Sequence, residues 1–272
     1  MYYKKFEDLT FADHYIFEKV LHENHDICKE LLERLLKIKI DHIEYPEIEK
    51  TISPYYETKG VRLDVYIKDS NKIFDIELQN ALDEDLPLRT RFYQSMIDTD
   101  NLLKGQHYSE LPTSFIIFIC RHNSLGKNIP ICTFENRCLE NLEISLNDRS
   151  IKKIFNASAY KQEKDLAISA FLEYICNQKA VDDFTSKLTS IVERIKKQEV
   201  NRKEYNSMNL HDQDNFRRGK KEGLIEGIHQ KAIETAKNML LSSLGTLEQI
   251  AQITNLPLQT VKDLANNLTQ QN

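Results

Sequence analysis

The chain has 272 residues and a formal net charge of −5, with 40% hydrophobic and 29% charged residues. This composition is typical of a globular protein and excludes a disordered or fibrous chain. The negative net charge excludes a basic coat over the whole surface, while leaving room for a local basic patch. With only 7 glycines and 6 prolines, the sequence favours abundant helix over a glycine-rich β-sandwich.

Cysteine usage and hydropathy predict a cytoplasmic protein. Five cysteines occur, none of them in a C-x-x-C pair: Cys28, Cys120, Cys132, Cys138 and Cys176. An odd number with such spacing argues against a disulfide framework or a cysteine-rich zinc ribbon. The N-terminus lacks the apolar core of a signal peptide. The longest apolar run, 115–120, is far shorter than the roughly 20 residues that cross a bilayer, so we expect no membrane contact.

The first predicted elements are a helix, an extended stretch and a hairpin. Apolar residues recur at helical spacing over 14–38, and a short extended stretch follows at Lys39–Tyr45. Apolar and polar residues then alternate over 61–68 and again over 72–79. The turn-forming sequence Asp69-Ser70-Asn71 separates these two segments. Two alternating segments around such a turn predict a β-hairpin.

The predicted core continues with alternating helices and strands. Residues 86–104 predict a helix, and the nearly uninterrupted apolar stretch Thr113–Arg121 predicts a strand buried on both faces. Short strands are expected at Ile131–Phe134 and Ile151–Phe155, and a further helix near Glu163–Asn177. The predicted order through residue 156 is therefore helix, strand, hairpin, helix, strand and smaller additions.

Beyond about residue 182 the sequence becomes rich in charge. Residues 194–221 hold nine Lys or Arg against four Asp or Glu, a local charge of +5, and are the favoured electrostatic candidate for DNA. Glycines 219, 223 and 227 recur every four residues on one helix face. Small residues let two helices approach closely, so we expect self-association through these C-terminal helices. A weak helix or a flexible hinge is the alternative, because each glycine costs about 1 kcal/mol of helix propensity.

The last segment, Leu247–Leu268, predicts two short helices that resemble a helix-turn-helix, with Asn255 at the turn. Its charged residues, Glu248, Lys262 and Asp263, sum to −1, which gives weak affinity for phosphate. A packing or interaction hairpin is therefore favoured over a DNA reader. We divide the chain into a nuclease-like domain at 1–180, a charged helical linker at 181–245 and the helical hairpin at 246–272.

Acidic side chains on the hairpin are the candidate catalytic groups. Asp64 lies on the polar face of the first strand, and Glu77 and Gln79 share one face of the second. Because neighbouring strands run about 4.8 Å apart, these side chains can converge. Converging carboxylates repel unless a cation joins them, and Mg²⁺ takes oxygen ligands of this kind. The pattern fits metal-assisted phosphodiester hydrolysis, with an ordinary solvated strand face as the alternative.

The chain resembles the Rpn family of PD-(D/E)XK nucleases, also called recombination-promoting nucleases or transposases. The resemblance covers roughly residues 10–160, through FADHYIFEKVL, RLDVYIKDSNKIFDIELQ, RTRFYQSMIDTDNLLKGQHYSELPTSFIIFIC, ICTFENRC and KKIFNA. It implies an α/β fold with a restriction-endonuclease-like core, a mixed central sheet flanked by helices, followed here by a helical C-terminal extension. It also implies that Asp64 and Glu77 are the acids of the second and third strands, and that Gln79 replaces the lysine of the motif.

The glutamine is a departure, because its amide carries no charge. Gln79 can orient the attacking water by hydrogen bonds, whereas a lysine would also offset developing negative charge. Cations on the next helix are then expected to supply that charge. The motif RTRFYQ assigns Arg91 to the scissile phosphate, with Arg89 as the second candidate. Tyr93 or Gln94 is expected to position the substrate.

The resemblance further implies an acid on the first helix that completes the metal site. Glu18, beside the apolar stripe of that helix, is the favoured residue, and Asp13 and Glu23 are the alternatives. The expected metal ligands are thus Asp64, Glu77 and Glu18. No P-loop occurs in the sequence, so no nucleotide cofactor is expected.

The sequence thus predicts a bacterial, cytoplasmic, Mg²⁺-dependent DNA endonuclease of the Rpn type, with Mn²⁺ as a second usable ion. The family label implies an association with recombination, mobile elements or phage defence. The alternative is a nuclease-fold protein of weak activity that binds DNA or a partner. The acid pair Asp64 and Glu77 argues against loss of activity.

Overall fold

The structure is a computed structural model that describes residues 4–41, 43, 46–53 and 60–269; the side chains of residues 209–217 and 269 lie outside that description. The chain divides into two compact units, residues 1–205 and 206–272. None of the helices in the described ranges is long and apolar enough to span a bilayer.

The larger unit is a mixed six-stranded sheet with flanking helices. Its strands are β1 (Glu47–Ile52), β2 (Val61–Asp69), β3 (Lys72–Gln79), β4 (Thr113–Cys120), β5 (Ile131–Phe134) and β6 (Ser150–Asn156). Its helices are α1 (His14–Glu23), α2 (His25–Leu36), α3 (Leu86–Asn101), α4 (Leu166–Asn177) and α5 (Asp183–Lys196). The strand order is β1-β2-β3-β4-β6-β5; β4 runs parallel to β3 and β6, and the other pairs are antiparallel. This architecture confirms the predicted fold class.

The hairpin of β2 and β3 forms where the alternation predicts it. Its backbone pairing runs from Val65 opposite Ile76 to Asp69 opposite Lys72, and Ser70 takes a left-handed turn conformation with φ of 46°. The parallel neighbour β4 is buried over almost its whole length, as expected for a strand covered on both faces.

The N-terminal elements differ from the prediction in two places. The predicted helix over 14–38 is two helices, because Asn24 leaves the helical conformation and its amide Nδ2 donates to the carbonyl of Val20. The first strand is β1 rather than the extended stretch 39–45, of which residues 42, 44 and 45 lie outside the described residues. Ile40 is buried although its segment forms no strand, so its apolar character reflects core packing rather than sheet pairing.

Helix α5 packs into the main core, although the sequence division assigns it to the linker. Phe184, Leu188 and Ile195 are almost fully buried in the same cluster as the residues of α1 and α2. Arg34 of α2 donates to Asp182 at 2.5 Å, and its guanidinium lies 4.3 Å from the centre of the Phe184 ring. The packed unit therefore extends past residue 180, because periodic apolar residues within a charge-rich stretch still form a buried face.

The smaller unit contains the end of a long helix and a helical hairpin. Helix α6 (Glu199–Leu241) begins in the first unit and ends in the second, and α7 (Leu247–Thr254) and α8 (Leu258–Thr269) follow it. Ala236, Ile250, Leu256 and Val261 form a small core, and Asn255 turns the chain between α7 and α8 with φ of 56°. Self-association through these helices and the separation of a linker from the helical hairpin remain predictions.

Truncated chains can locate the C-terminal end of the larger packed unit. A chain that ends after residue 180 loses Phe184, Leu188 and Ile195 from the core, each worth about 1.5–3 kcal/mol of burial. We expect its thermal unfolding, followed by circular dichroism, to occur well below that of a chain ending after residue 208. Equal unfolding temperatures for the two truncated chains would show that α5 contributes nothing to the core.

Candidate active site

The hairpin opens at the position of the two predicted strand acids. Its pairing ends with Val65 and Ile76, so Asp64 and Glu77 are the next facing residues. Here side chains replace the backbone partners. The amide of Asp64 donates to Glu77 Oε1 at 2.9 Å, and the amide of Leu78 donates to Asp64 Oδ2 at 3.0 Å. We call this reciprocal pair of bonds the carboxylate clasp.

Beyond the clasp, toward its N-terminus, strand β2 keeps its pairing with β1 but no longer pairs with β3. Leu63 lies opposite Lys50 and Val61 opposite Ile52. The clasp satisfies two backbone amides that the opened ladder would leave without partners. It also fixes both carboxylates while leaving Asp64 Oδ1 without a described donor. The structure thereby brings Asp64 and Glu77 together, as the sequence predicts.

Helix α1 brings two further side chains to Asp64. His14 and Glu18 are four residues apart and so share one helix face. The Nδ1 atom of His14 lies 3.3 Å from Asp64 Oδ2. One ligand atom from each of His14, Glu18 and Asp64 lies within 4.8 Å of the other two, and no other such group of three occurs among the described residues. We call these three residues the ligand trio.

Of the three first-helix acids considered from the sequence, only Glu18 reaches Asp64. Asp13 accepts hydrogen bonds from the backbone amide and the hydroxyl of Thr10. It also forms an ion pair with Lys4. Glu23 pairs with Lys19. Asp13 and Glu23 therefore bind neighbouring groups at the two ends of α1 and not Asp64. The trio also contains His14, to which the sequence analysis assigns no role.

Burial and mutual repulsion act on the acids of this site. Burial first, and the Asp64 charge second, raise the pKa of Glu18 from its ordinary 4.5 to about 8. The same two causes raise the pKa of Glu77 to about 8. Hydrogen bonding to Asp64 raises the pKa of His14. Glu18 and Glu77 are therefore fully ionised at neutral pH only when a positive charge lies next to them.

Asp75 is a buried acid that the sequence analysis leaves without a role. It lies two residues before Glu77 on the same face of β3 and is fully buried. Neither of its carboxylate oxygens has a described hydrogen-bond partner. Burial, and then repulsion by Glu77 and Asp64, hold its pKa well above the ordinary value. These causes favour the neutral form of Asp75, whose carboxyl could donate toward Glu77. The alternation of β3 already places it on the polar face with Glu77 and Gln79.

Arg89 of α3 is the cation beside the clasp. Its Nη1 donates to Gln79 Oε1 at 3.0 Å, and its Nη2 lies 3.6 Å from Glu77 Oε2. Nη2 also donates to the hydroxyl of Tyr93 at 3.2 Å. Nη1 donates in addition to Asp83 at 2.5 Å. The structure thus brings Arg89, Gln79 and Tyr93 to the acids.

Arg91 and Gln94 do not reach the acids. Arg91 is exposed, because two residues along a helix turn the side chain by about 200° away from Arg89. Gln94 Nε2 donates to the hydroxyl of Ser114, and its Oε1 accepts from Ser150. Ser114 lies four residues along β4 from the level of Glu77, about 13 Å away. The geometry ties Gln94 to the sheet rather than to a substrate.

The donor set fits a divalent cation. A buried carboxylate, a second carboxylate fixed by a backbone amide, and an imidazole converge on one small volume. Glu18 is only 7% exposed, and its carboxylate has no described hydrogen bond or ion pair. Buried carboxylates are normally paired or bound to a metal. Burial and the charge of Asp64 raise the pKa of Glu18, so a bound cation would favour its ionised form.

A mixed sheet with an acid-bearing, opened hairpin is the arrangement of a PD-(D/E)XK domain. The family of PD-(D/E)XK nuclease family transposases matches residues 8–130 of the chain. This part of the protein is therefore similar to the domains of that family, in agreement with the resemblance seen in the sequence. No curated protein and no solved structure gives a significant match. The matched segment contains the whole ligand trio, the clasp and Arg89.

The raised pKa values predict how the stability of the metal-free protein depends on pH. The folded state binds the protons of Glu18 and Glu77 up to about pH 8, whereas the unfolded chain releases them near 4.5. Stability therefore falls as the pH rises through this window and levels off above it. We expect Glu18→Gln to reduce the fall in unfolding temperature measured by calorimetry, while Glu84→Gln, on the exposed loop, leaves it unchanged. A wild-type unfolding temperature that stays constant from pH 5 to about 8 would contradict the assignment.

Proposed function

We propose that the chain is a DNA endonuclease that depends on a divalent metal ion, Mg²⁺ or Mn²⁺, and hydrolyses phosphodiester bonds. The observation that carries this proposal is the convergence of Glu18, Asp64 and the clasp acid Glu77 beside Arg89. The family match to nuclease family transposases supports the class of reaction. Recombination or mobile elements in a bacterial cytoplasm are the setting that this family label favours.

Each carboxylate of the site has a separate task in this proposal. Asp64 and Glu18 hold the cation, since Asp64 Oδ1 has no described donor and Glu18 has no described partner. Glu77 fixes the backbone of Asp64 through the clasp and adds negative charge next to the cation. The cation, when bound, polarises the phosphate and lowers the pKa of water for attack.

Arg89 supplies the positive charge that the glutamine at position 79 lacks. The guanidinium is held by Gln79 on one side and Tyr93 on the other, so it is fixed before the substrate arrives. A preorganised cation stabilises negative charge as it develops on the scissile phosphate. In this proposal Gln79 positions Arg89, and the phosphate role that the motif assigns to Arg91 passes to Arg89.

Variants of the metal-binding carboxylates test the proposal. We expect Asp64→Asn and Glu18→Gln to lower the rate of plasmid nicking in Mn²⁺ or Mg²⁺ by about a thousandfold or more. EDTA should abolish nicking by the wild type. Glu84→Gln, which removes one negative charge from the exposed loop nearby, is the matched control and should cleave at the wild-type rate. Undiminished nicking by both site variants in clean preparations would reject this active site.

Variants of Arg89 and Arg91 distinguish stabilisation of the scissile phosphate by one positioned cation from a general effect of basic residues. Arg89→Ala should lose about 2–4 kcal/mol of transition-state stabilisation, which is roughly a 30- to 1000-fold loss in rate. Arg91→Ala should lose little, because its side chain is exposed away from the acids. Gln79→Lys in the Arg89→Ala background should recover part of the rate, since a lysine there restores a cation beside Glu77. A larger defect in Arg91→Ala than in Arg89→Ala would return the phosphate role to Arg91.

A further inference from the structure

His14 occupies a place in the site that an ion-pair role alone does not explain. Its side chain is 52% exposed, yet its Nδ1 is directed at Asp64 Oδ2, 3.3 Å away. The same imidazole lies one helical turn before Glu18. A nitrogen donor and two carboxylates therefore face one volume within 4.8 Å of one another.

Glu18 gives an independent indication that this volume receives a cation. Glu18 is more than nine-tenths buried, one of its carboxylate oxygens lies within 4.8 Å of ligand atoms of Asp64 and His14, and it has no described hydrogen bond or ion pair. Of the positive groups that act on Glu18, His14 is directed at Asp64 and Arg62 pairs with Glu49. A cation placed between the three ligand atoms contacts all of them at once.

The chemistry of the donor set discriminates between metal ions. Mg²⁺ prefers oxygen ligands and keeps several waters. Imidazole nitrogen is a softer donor than carboxylate oxygen, and first-row transition ions accept it more readily than Mg²⁺ does, with Mn²⁺ the hardest of them and the one that also suits carboxylates. Two carboxylates with one imidazole, open to solvent on the exposed side of His14, form a mixed nitrogen and oxygen site.

We propose that His14 is a metal ligand and that the trio His14, Glu18 and Asp64 selects a first-row transition ion, with Mn²⁺ as the representative, over Mg²⁺. This inference rests on the proposed function for the identity of the site, and it adds the ligand that sets the choice of ion. Glu77 acts beside this trio, through the clasp, rather than as its third member.

Binding measurements on the full-length protein test the proposal without reference to cleavage. Calorimetric titration should show tighter binding of Mn²⁺ than of Mg²⁺, by about tenfold or more. His14→Asn should weaken Mn²⁺ binding on the order of 10- to 100-fold, at least the effect of losing a supporting group of a metal site. Its effect on Mg²⁺ binding should be less than about threefold, since an oxygen-seeking ion gains little from the imidazole. His122→Asn, at an exposed histidine outside the site, is the matched control and should bind both ions as the wild type does.

Electron spin echo spectroscopy detects nitrogen that is bound directly to Mn²⁺. It therefore distinguishes a histidine ligand from a histidine that only supports the structure. Wild type and His122→Asn should show modulation from a directly bound imidazole nitrogen, and His14→Asn should not. His14→Asp, which supplies oxygen instead of nitrogen, should bind Mn²⁺ without that modulation and with a smaller preference over Mg²⁺. An unchanged unfolding temperature in the metal-free His14 variants would show that they fold.

Two results would overturn the inference. One is nitrogen modulation that persists in His14→Asn, or that is absent from the wild type. The other is equal or tighter binding of Mg²⁺ by the wild type. These results are distinguishable from a failure of the nuclease proposal. A protein that binds Mn²⁺ through His14 but does not nick plasmid DNA would support this metal site and reject only the proposed reaction.

Discussion

The carboxylate clasp is the interaction on which the site depends. Strand β2 lies between β1 and β3, and its pairing with β1 continues from Val65 to Val61, whereas its pairing with β3 ends at Val65 and Ile76, just before Asp64 and Glu77. Each acid then accepts a backbone amide of the opposite strand. The same opening leaves room for α1 to bring His14 and Glu18 to Asp64. The end of the β2–β3 pairing thus coincides with the side-chain bonds that fix the acids and with the approach of α1 to Asp64.

The buried acids of the site lower the stability of the folded protein when no cation is bound. Glu18, Asp75 and Glu77 are buried, and their pKa values are all raised although Arg89 lies beside Glu77. Such a cluster opposes folding when its members ionise, and a bound cation reverses the effect by linkage. The surrounding sheet, with β4 and β3 packed on both faces, supplies the stability that holds the acids in place.

Much of this site follows from strand alternation alone. Period-two patterning around a turn predicts the hairpin, and therefore the convergence of Asp64 with Glu77 and Gln79. The choice between Arg89 and Arg91 could not be made from the sequence, because it depends on which face of α3 packs on the sheet. The sequence analysis assigns no role to His14, because residues on a helix and a strand, fifty residues apart, have no shared spacing that predicts their approach. Asp75 was missed because an acid on a polar strand face reads as solvated until the covering helix is known.

The central claim is that the opened hairpin and α1 together hold a divalent cation. Crystals of the full-length protein soaked in Mn²⁺ and measured at the manganese absorption edge test it most directly. The account predicts an anomalous difference peak within about 2.5 Å of carboxylate oxygens of Asp64 and Glu18, and no such peak in crystals of Asp64→Asn. A peak bound elsewhere in the domain, with Glu18 and Asp64 in contact only with each other and His14, would contradict the account.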